Sequence, residues 1–191
     1  MNDLQKATRP AGEPGGAGGF LGDLAGLPRG NGTAPILSQG ARAVKLFAKG
    51  LCEPVNPAGW ACFGWHAVDA DGRRVATGAG CLGYGAGMTA NRAAYRAAIE
   101  ALTWCAASGA RDVILYCDNK LVVCQAMGEW ACNSPALLPL LAELRSWMAE
   151  VGALLEWIPK ERNQIADQLA RNAYGDATRD AQRKIEREAA I

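Results

Sequence analysis

The stretch VILYCDNKLVVCQAMGEW, from Val113 to Trp130, decides the fold of this chain. It begins with an apolar, strand-like run that ends on Asp118, and a helical pattern of apolar residues follows at once. A carboxylate at the end of a buried strand is costly to desolvate, so some function has to account for it. One common reason is metal binding, because a strand end holds oxygen ligands still for a hard cation. A single carboxylate binds little, so Asp118 needs partners elsewhere in the sequence.

Composition limits the classes of protein to consider. The chain has 191 residues, 50% of them hydrophobic, which is enough for one good core. A formal net charge of +1 neither indicates nor excludes a nucleic-acid partner. Seven cysteines without a CxxC pair and a single histidine argue against a zinc site and are typical of reduced thiols in the cytoplasm. No apolar run reaches membrane length and no signal peptide is recognisable, so we expect a cytoplasmic protein without a membrane partner.

Residues 1–40 differ in composition from the rest of the chain. They are rich in glycine, proline and alanine, and such a segment buries too little apolar surface to offset its chain entropy. We therefore expect a flexible N-terminal tail. Four of its apolar residues have the spacing of a stripe along one or two helical turns: Phe20, Leu21, Leu24 and Leu27. That stripe leaves open a second interpretation, a short motif that docks protein subunits.

From residue 41 onward, hydrophobic periodicity predicts a succession of strands and helices. Three strands joined by hairpins come first, at 41–48, 59–69 and 73–83. After them the pattern predicts a helix at 89–109, a strand at 111–117, helices at 119–130 and 134–152, a strand at 153–159 and a helix at 163–187. The order β-β-β-α-β-α-α-β-α implies an α/β fold. Its mixed five-stranded sheet has three antiparallel strands, then parallel strands, and is flanked by helices.

Residue types at the helix ends refine this scheme. Thr89 or Asn91 can cap the first helix, and Ser134 followed by Pro135 is the expected start of the third. Gly175 is a candidate interruption of the last helix.

We accordingly divide the chain into three parts. These are the tail at 1–40, one domain at 41–175 and a charged helical extension at 176–191. Basic and acidic residues are interleaved in the extension, which favours a solvated helix face over a nucleic-acid patch.

Four stretches of the chain resemble, in order, the four acidic motifs of the ribonuclease HI family. They are LFAKGLCEPVNPAGW, TANRAAYRAAIEAL, YCDNKLVVCQAMGEW and WIPKERNQIADQLARNA. The resemblance covers about residues 42–174, and the predicted order of elements agrees with it, so it implies a ribonuclease H-like fold. In that family four carboxylates hold two magnesium ions, which activate a water and stabilise the leaving oxygen in phosphodiester hydrolysis.

By this resemblance only two of the four acids are present. Asp118 and Asp167 stand at acid positions, whereas Lys49 stands at the first acid position and Ala94 at the second. Like charges ~4 Å apart cost about 4 kcal/mol at an effective dielectric of 20, so Lys49 opposes a divalent cation. We expect no cofactor, with weak Mg²⁺ binding by the two acids at most, and an ion pair of Lys49 with one of them. The alternative is that Lys49 is a surface lysine and the register is wrong by one or two residues.

By this resemblance, the chain retains more of the family's binding surface than of its catalytic centre. Asn56, Asn91 and Lys120 match or nearly match positions where the family touches the minor groove and 2′-hydroxyls of an RNA–DNA hybrid, and Gly50 allows close backbone approach. The candidate nucleic-acid contacts are Lys49, Gly50, Asn56, Thr89, Asn91 and Lys120. Of these, Thr89 matches a phosphate contact, and the Lys49 ammonium could meet a phosphate. The asparagines have an alternative role in turns and helix caps.

Three functions of different classes remain. The first is a catalytically inactive ribonuclease H-like protein that binds RNA or RNA–DNA hybrid as an accessory subunit of a nucleoprotein complex. The second is a structural, protein-interaction subunit without nucleic-acid contact. The third is a metal-dependent ribonuclease H that cleaves the RNA strand of hybrids. Retention of Asn56, Asn91 and Lys120 favours the first over the second, and the two missing acids argue against the third.

The tail yields a first prediction. Deletion of residues 1–38 should leave the melting temperature of the domain nearly unchanged, because a glycine- and proline-rich segment contributes few buried contacts. Thermal unfolding of the full and shortened chains followed by circular dichroism measures this. If the tail docks a partner, the deletion weakens assembly while the isolated domain stays folded. A large drop in melting temperature would contradict both interpretations.

Overall fold

The computed structural model describes residues 43–190. Their elements follow in the order β1 (Lys45–Glu53), β2 (Trp60–Val68), β3 (Arg74–Tyr84), α1 (Ala90–Ser108), β4 (Ile114–Cys117), α2 (Lys120–Met127), α3 (Leu138–Val151), β5 (Leu154–Trp157) and α4 (Gln164–Ala189). A turn of 3-10 helix at Lys160–Arg162 precedes α4. The predicted order of elements is confirmed. The predicted tail and its apolar stripe lie outside the described residues.

The five strands form one mixed sheet in the spatial order β3-β2-β1-β4-β5. The pairs β1–β2 and β2–β3 are antiparallel, whereas β1–β4 and β4–β5 are parallel. The predicted sheet is therefore confirmed. In the central parallel pair Ala48 lies opposite Cys117. Lys49 is the next residue of β1, and Asp118 directly follows β4. The register therefore brings these two residues side by side.

Helices cover the two faces of the sheet. Alternate residues of β1, such as Leu46 and Ala48, face the core shared with α1 and α3. On the other face Leu51 and Cys62 pack against α4. The approach of α4 requires Gly64, since a Cβ atom there would lie 2.5 Å from the backbone nitrogen of Ala170. The helix that carries one of the candidate acids is thus held directly on the sheet.

Two predicted boundaries are wrong, because the tertiary structure overrides local signals. β1 does not end near residue 48 but pairs with β2 as far as Glu53. α3 begins at Leu138, and Ser134 instead opens a turn in which its carbonyl oxygen accepts from the backbone nitrogen of Leu137 at 3.0 Å. Pro139, which lacks an N–H, fits the first turn of α3.

Helix α4 is not interrupted at Gly175, which corrects the third boundary. A glycine inside a helix costs about 1 kcal/mol. The neighbouring residues Ala173 and Tyr174 pack α4 against the sheet, which offsets that cost. The helix continues across residue 176, so the charged extension is the second half of α4. From Gln182 to the end of α4 at Ala189 every residue is exposed. Among residues 43–190 no helix has both the length and the hydropathy required to span a membrane.

The only histidine of the chain, His66, is buried in β2 and is 4% exposed. Its ring stacks on Phe47 with a centroid distance of 4.6 Å and an interplanar angle of 7°. Burial, with a smaller contribution from the charge of Arg74, lowers the pKa of His66 to about 4. The imidazole is therefore neutral in the folded chain at neutral pH.

This histidine should make stability depend on pH. Between pH 6.5 and about 4 the unfolded chain binds a proton that folded His66 does not. Its contribution is therefore complete above pH 6.5 and is lost as pH falls towards 4, a loss on the order of 3 kcal/mol in unfolding free energy. In NMR spectra of untagged protein the imidazole resonances should titrate near pH 4. The variant His66→Phe, which keeps a ring against Phe47, should lose less stability over this range. An imidazole midpoint near 6.5 would show the prediction wrong.

Candidate functional site

An ion pair lies where the parallel pairing of β1 with β4 ends. The Nζ atom of Lys49 on β1 lies 2.5 Å from Oδ2 of Asp118, which directly follows β4. The side chains are 13% and 5% exposed, respectively, so this charge pair is largely removed from water. The expected ion pair is present, and the alternative of a solvent-exposed Lys49 is wrong.

A second carboxylate reaches the same ammonium group from α4. Oδ1 of Asp167 lies 3.7 Å from Nζ of Lys49. This oxygen is buried and makes no hydrogen bond within residues 43–190, so the contact is a charge interaction alone. Asp167 belongs to the first turn of α4, where the helix dipole favours a carboxylate. Lys49 therefore lies between Asp118 and Asp167.

Arg171 and Glu53 extend this pair into a chain of alternating charges. Nε of Arg171 donates to Oδ2 of Asp167 at 2.7 Å, and Nη1 of Arg171 donates to Oε1 of Glu53 at 3.0 Å. The hydrogen bond to Asp167 raises the pKa of Arg171. We call Asp118, Lys49, Asp167, Arg171 and Glu53 the charge cluster. Sequence reasoning missed Arg171, although its spacing of four residues from Asp167 in a helix was a usable signal.

Asn163 anchors the start of α4 to β1. This side chain is 1% exposed, and its Nδ2 atom donates to the carbonyl oxygen of Ala48 at 2.9 Å. The acceptor directly precedes Lys49, so the bond fixes α4 next to the charge cluster. Sequence reasoning missed Asn163 too. An asparagine before a helix signals a cap, but here the side chain makes no capping bond and contacts β1 instead.

Gly50 and Ala94 meet where α1 crosses β1. A Cβ atom on Gly50 would collide with the backbone of Ala93 and Ala94, so packing alone requires glycine at position 50. Ala94 is fully buried at this contact and offers a methyl group, which cannot bind a metal. The close backbone approach predicted for Gly50 is thus with α1.

Polar residues cluster at the start of α1. Oγ1 of Thr89 accepts from the backbone nitrogen of Arg92 at 3.1 Å, which confirms Thr89 as the N-cap. Oδ1 of Asn56 accepts from the backbone nitrogen of Ala90, also at 3.1 Å. The capping role left open for Asn56 is therefore real. Asn56 nevertheless remains exposed in the loop after β1.

A hydrogen bond between two asparagines links α1 to α2. Oδ1 of Asn91 accepts from Nδ2 of Asn119 at 2.9 Å, and Oδ1 of Asn119 caps α2 by accepting from Val122 at 3.3 Å. Asn91 is therefore not the cap of α1. Lys120 follows as the exposed first residue of α2. A continuous polar edge results, which runs beside Asp118 and consists of Asn56, Thr89, Asn91, Asn119 and Lys120.

The donor set of the charge cluster does not fit two magnesium ions. Within residues 43–190 no group of three or more histidine, cysteine or acidic side chains is placed to hold a metal. The ammonium of Lys49 lies between Asp118 and Asp167, and Arg171 engages the remaining oxygen of Asp167. Since Ala94 supplies no oxygen, the residues do not form a two-metal site.

Comparisons with known proteins agree with this fold. The family described as reverse transcriptase-like matches residues 52–173. RNase H1 from the halophilic archaeon Halobacterium salinarum is 32% identical in sequence, with a TM-score of 0.64 over 70% of this chain and 98% of that one. The chain belongs to the ribonuclease H-like family. The resemblance to ribonuclease HI that the sequence motifs indicated is therefore confirmed.

Two further solved structures resemble this ribonuclease H-like domain. The N-terminal RNase H domain of Rv2228c from Mycobacterium tuberculosis is 30% identical, with a TM-score of 0.67 over 74% of this chain and 99% of that chain. LC11-RNase H1, solved in complex with an RNA/DNA hybrid, is 25% identical, with a TM-score of 0.65 over 71% of this chain and 99% of that chain. Among curated relatives, the bifunctional protein Rv2228c is 35% identical over 94 residues, 49% of this chain, and the match spans only 26% of its length.

Removal of the central cation tests the charge cluster. Lys49→Ala leaves the largely buried Asp118 without a cation and Asp167 with Arg171 alone, so it should lower the unfolding free energy near neutral pH by about 2–4 kcal/mol. Chemical denaturation measures the loss. Lys45→Ala, on the same strand but exposed, is the matched control and should change stability by less than ~0.5 kcal/mol. Adding Asp118→Asn and Asp167→Asn to Lys49→Ala should restore much of the stability. Equal effects of Lys49→Ala and Lys45→Ala would contradict this account.

Proposed function

We propose that this ribonuclease H-like domain binds RNA or an RNA–DNA hybrid without cleaving it, as an accessory subunit of a cytoplasmic nucleoprotein complex. The observation that carries the proposal is the ammonium of Lys49, 2.5 Å from Asp118 and 3.7 Å from Asp167. By the resemblance of the motifs, Lys49 takes the place of the family's first acid, and Ala94 takes the place of the second.

The absence of cleavage follows from the charges of these two substitutions. In the two-metal mechanism the carboxylates have to face cations that carry a water and a phosphate oxygen. Lys49 supplies a positive charge but no open coordination position, so it neutralises the acids without activating water. A magnesium ion next to the ammonium would be repelled, and Ala94 offers no compensating ligand. We therefore expect the domain to need no metal for folding or binding.

Nucleic-acid binding is supported by the polar edge. The N-termini of α1 and α2 meet there, and such termini favour phosphate oxygens. Lys120 is exposed at the start of α2, whereas the ammonium of Lys49 is engaged with Asp118. We therefore assign the main phosphate contact to Lys120. Asn56 and Asn91 would face the 2′-hydroxyl groups and base edges of the minor groove. The hybrid complex of LC11-RNase H1 shows that a related domain of this fold binds such a duplex.

Binding without cleavage is the outcome to measure. A fluorescently labelled RNA–DNA hybrid should bind in a salt-dependent manner and remain intact in Mg²⁺ or Mn²⁺, since phosphate contacts persist while the metal ligands do not. Lys120→Ala should weaken binding and reduce the slope of log affinity against log salt by about 1. Lys184→Ala, an exposed lysine in the second half of α4, is the matched control and should leave the slope unchanged.

Restoring the acids separates the alternatives. Lys49→Asp together with Ala94→Glu is expected to recover some cleavage, whereas either change alone is not, because the ligands act as a unit. Cleavage by the natural sequence that disappears in Asp118→Asn would establish the active-nuclease alternative. The protein-interaction subunit would be favoured if binding did not depend on salt. It would also be favoured if the domain bound neither the hybrid nor double-stranded RNA nor double-stranded DNA.

A further inference from the structure

Two thiols outside the charge cluster and the polar edge lie opposite each other on adjacent strands. Cys62 of β2 and Cys81 of β3 are paired in register, and their Sγ atoms are 2.8 Å apart. Both are free thiols. Cys62 is fully buried, whereas Cys81 is partly exposed on β3, which is an edge strand of the sheet. Both residues thus pack beneath α4, but only Cys81 is in part accessible to solvent.

The hydrogen bond between the thiols differentiates them chemically. Cys62 donates its proton to the sulfur of Cys81. This bond lowers the pKa of Cys81 to about 7 against the opposing effect of burial. The same bond, reinforced by burial, raises the pKa of Cys62. The hydrogen bond thus favours the thiolate form of Cys81, and Cys62 is the thiol that keeps its proton. That is the arrangement of an attacking and a resolving cysteine.

We propose that Cys62 and Cys81 are a redox-responsive pair that hydroperoxides convert into a cross-strand disulfide. The Cys81 thiolate attacks a peroxide oxygen, the O–O bond breaks, and the leaving oxygen takes a proton to depart as water or alcohol. Cys81 is then a sulfenic acid. The sulfur of Cys62 gives up its proton and attacks Cys81, the S–O bond breaks, and the hydroxyl leaves with that proton as water. Two thiols are oxidised and one peroxide is reduced, and a dithiol reductant restores the pair.

The remaining five cysteines lack this arrangement. The sulfur of Cys52 contacts the carbonyl oxygens of Val55 and Met88, and Cys124 is buried. Cys105 and Cys117 are buried, and burial raises the pKa of each to about 12. Cys132 is partly exposed like Cys81, but its sulfur contacts the carbonyl oxygen of Ser134 at 3.9 Å and no second thiol within residues 43–190. Cys132 is thus a natural internal control, matched in exposure and lacking a resolving partner.

The position of the pair gives the disulfide a structural effect. Cys62 and Cys81 belong to the small core beneath α4, together with Leu51, Ala170 and Tyr174. A covalent bond there ties the edge strand to β2 under the helix that carries Asp167 and Arg171. Oxidation should therefore stabilise this half of the domain, because cross-linking restricts the unfolded chain.

Peptide mapping of the oxidised native protein tests the proposal. The full chain is treated with one equivalent of hydrogen peroxide near neutral pH, alkylated in denaturant and digested with trypsin. Cleavage at Arg73 and Arg74 separates the two cysteines, so a disulfide joins two peptides. Fragmentation of the joined peptides distinguishes Cys62 from Cys52, which lies on the same tryptic peptide, residues 50–73. The expected result is a Cys62–Cys81 link, reversed by dithiothreitol, with the other cysteines alkylated. Oxidation of Cys81 no faster than that of Cys132, or disulfides scattered among all the cysteines, would overturn the proposal.

Two variants test the separate roles. In Cys62→Ala, Cys81 should accumulate as a sulfenic acid trapped by dimedone, and the pH midpoint of its alkylation should rise from about 7 because the hydrogen-bond donor is gone. In Cys132→Ser the link should form as in the natural sequence. An unchanged alkylation midpoint in Cys62→Ala, or loss of the link in Cys132→Ser, would count against the pair. Near-UV circular dichroism verifies that each variant is folded, and the mapping of the natural chain decides the question without them.

Discussion

The site depends on the ion pair between Lys49 and Asp118, which lies where the parallel pairing of β1 with β4 ends. The register of β1 and β4 brings Lys49 to Asp118, and the bond from Asn163 to Ala48 brings the first turn of α4 to the same place. Asp167 can lie there, largely buried, because Lys49 and Arg171 compensate its charge. Three carboxylates and two cations therefore coexist at the centre of the domain.

A tethered cation differs from a bound metal in ways that matter for chemistry. It cannot exchange with solvent, it has no vacant coordination position, and its position is fixed by the covalent chain. Asp118 and Asp167 are engaged here with cationic side chains of the same protein. The neighbouring polar edge rests on helix caps and on contacts to backbone and side-chain amides rather than on a metal.

Much of the fold was predictable from the sequence, and the misses have physical reasons. Alternating and helical periodicity predicted the five strands and four α-helices of residues 43–190, and the strand-end position of Asp118 predicted where the charge cluster lies. Local signals failed where long-range packing decides. Gly175 lies within α4 because Tyr174 is packed beneath the helix, and Asn163 contacts β1 rather than capping. Glu53 lies in the charge cluster because β1 extends to residue 53, beyond the apolar pattern that ends at residue 48.

The continuity of α4 means that one helix contains two regimes of stability. Its first half is stabilised by burial of Ala166 and Ala170 against the sheet. Its second half is exposed and relies on helix propensity and on surface pairs such as Arg179–Asp176 and Arg183–Asp180. Added sulfate or phosphate screens those pairs but strengthens apolar burial, so such a salt shifts the stability of the two halves in opposite directions. The length of ordered helix beyond the sheet is therefore a property of the solution as much as of the sequence.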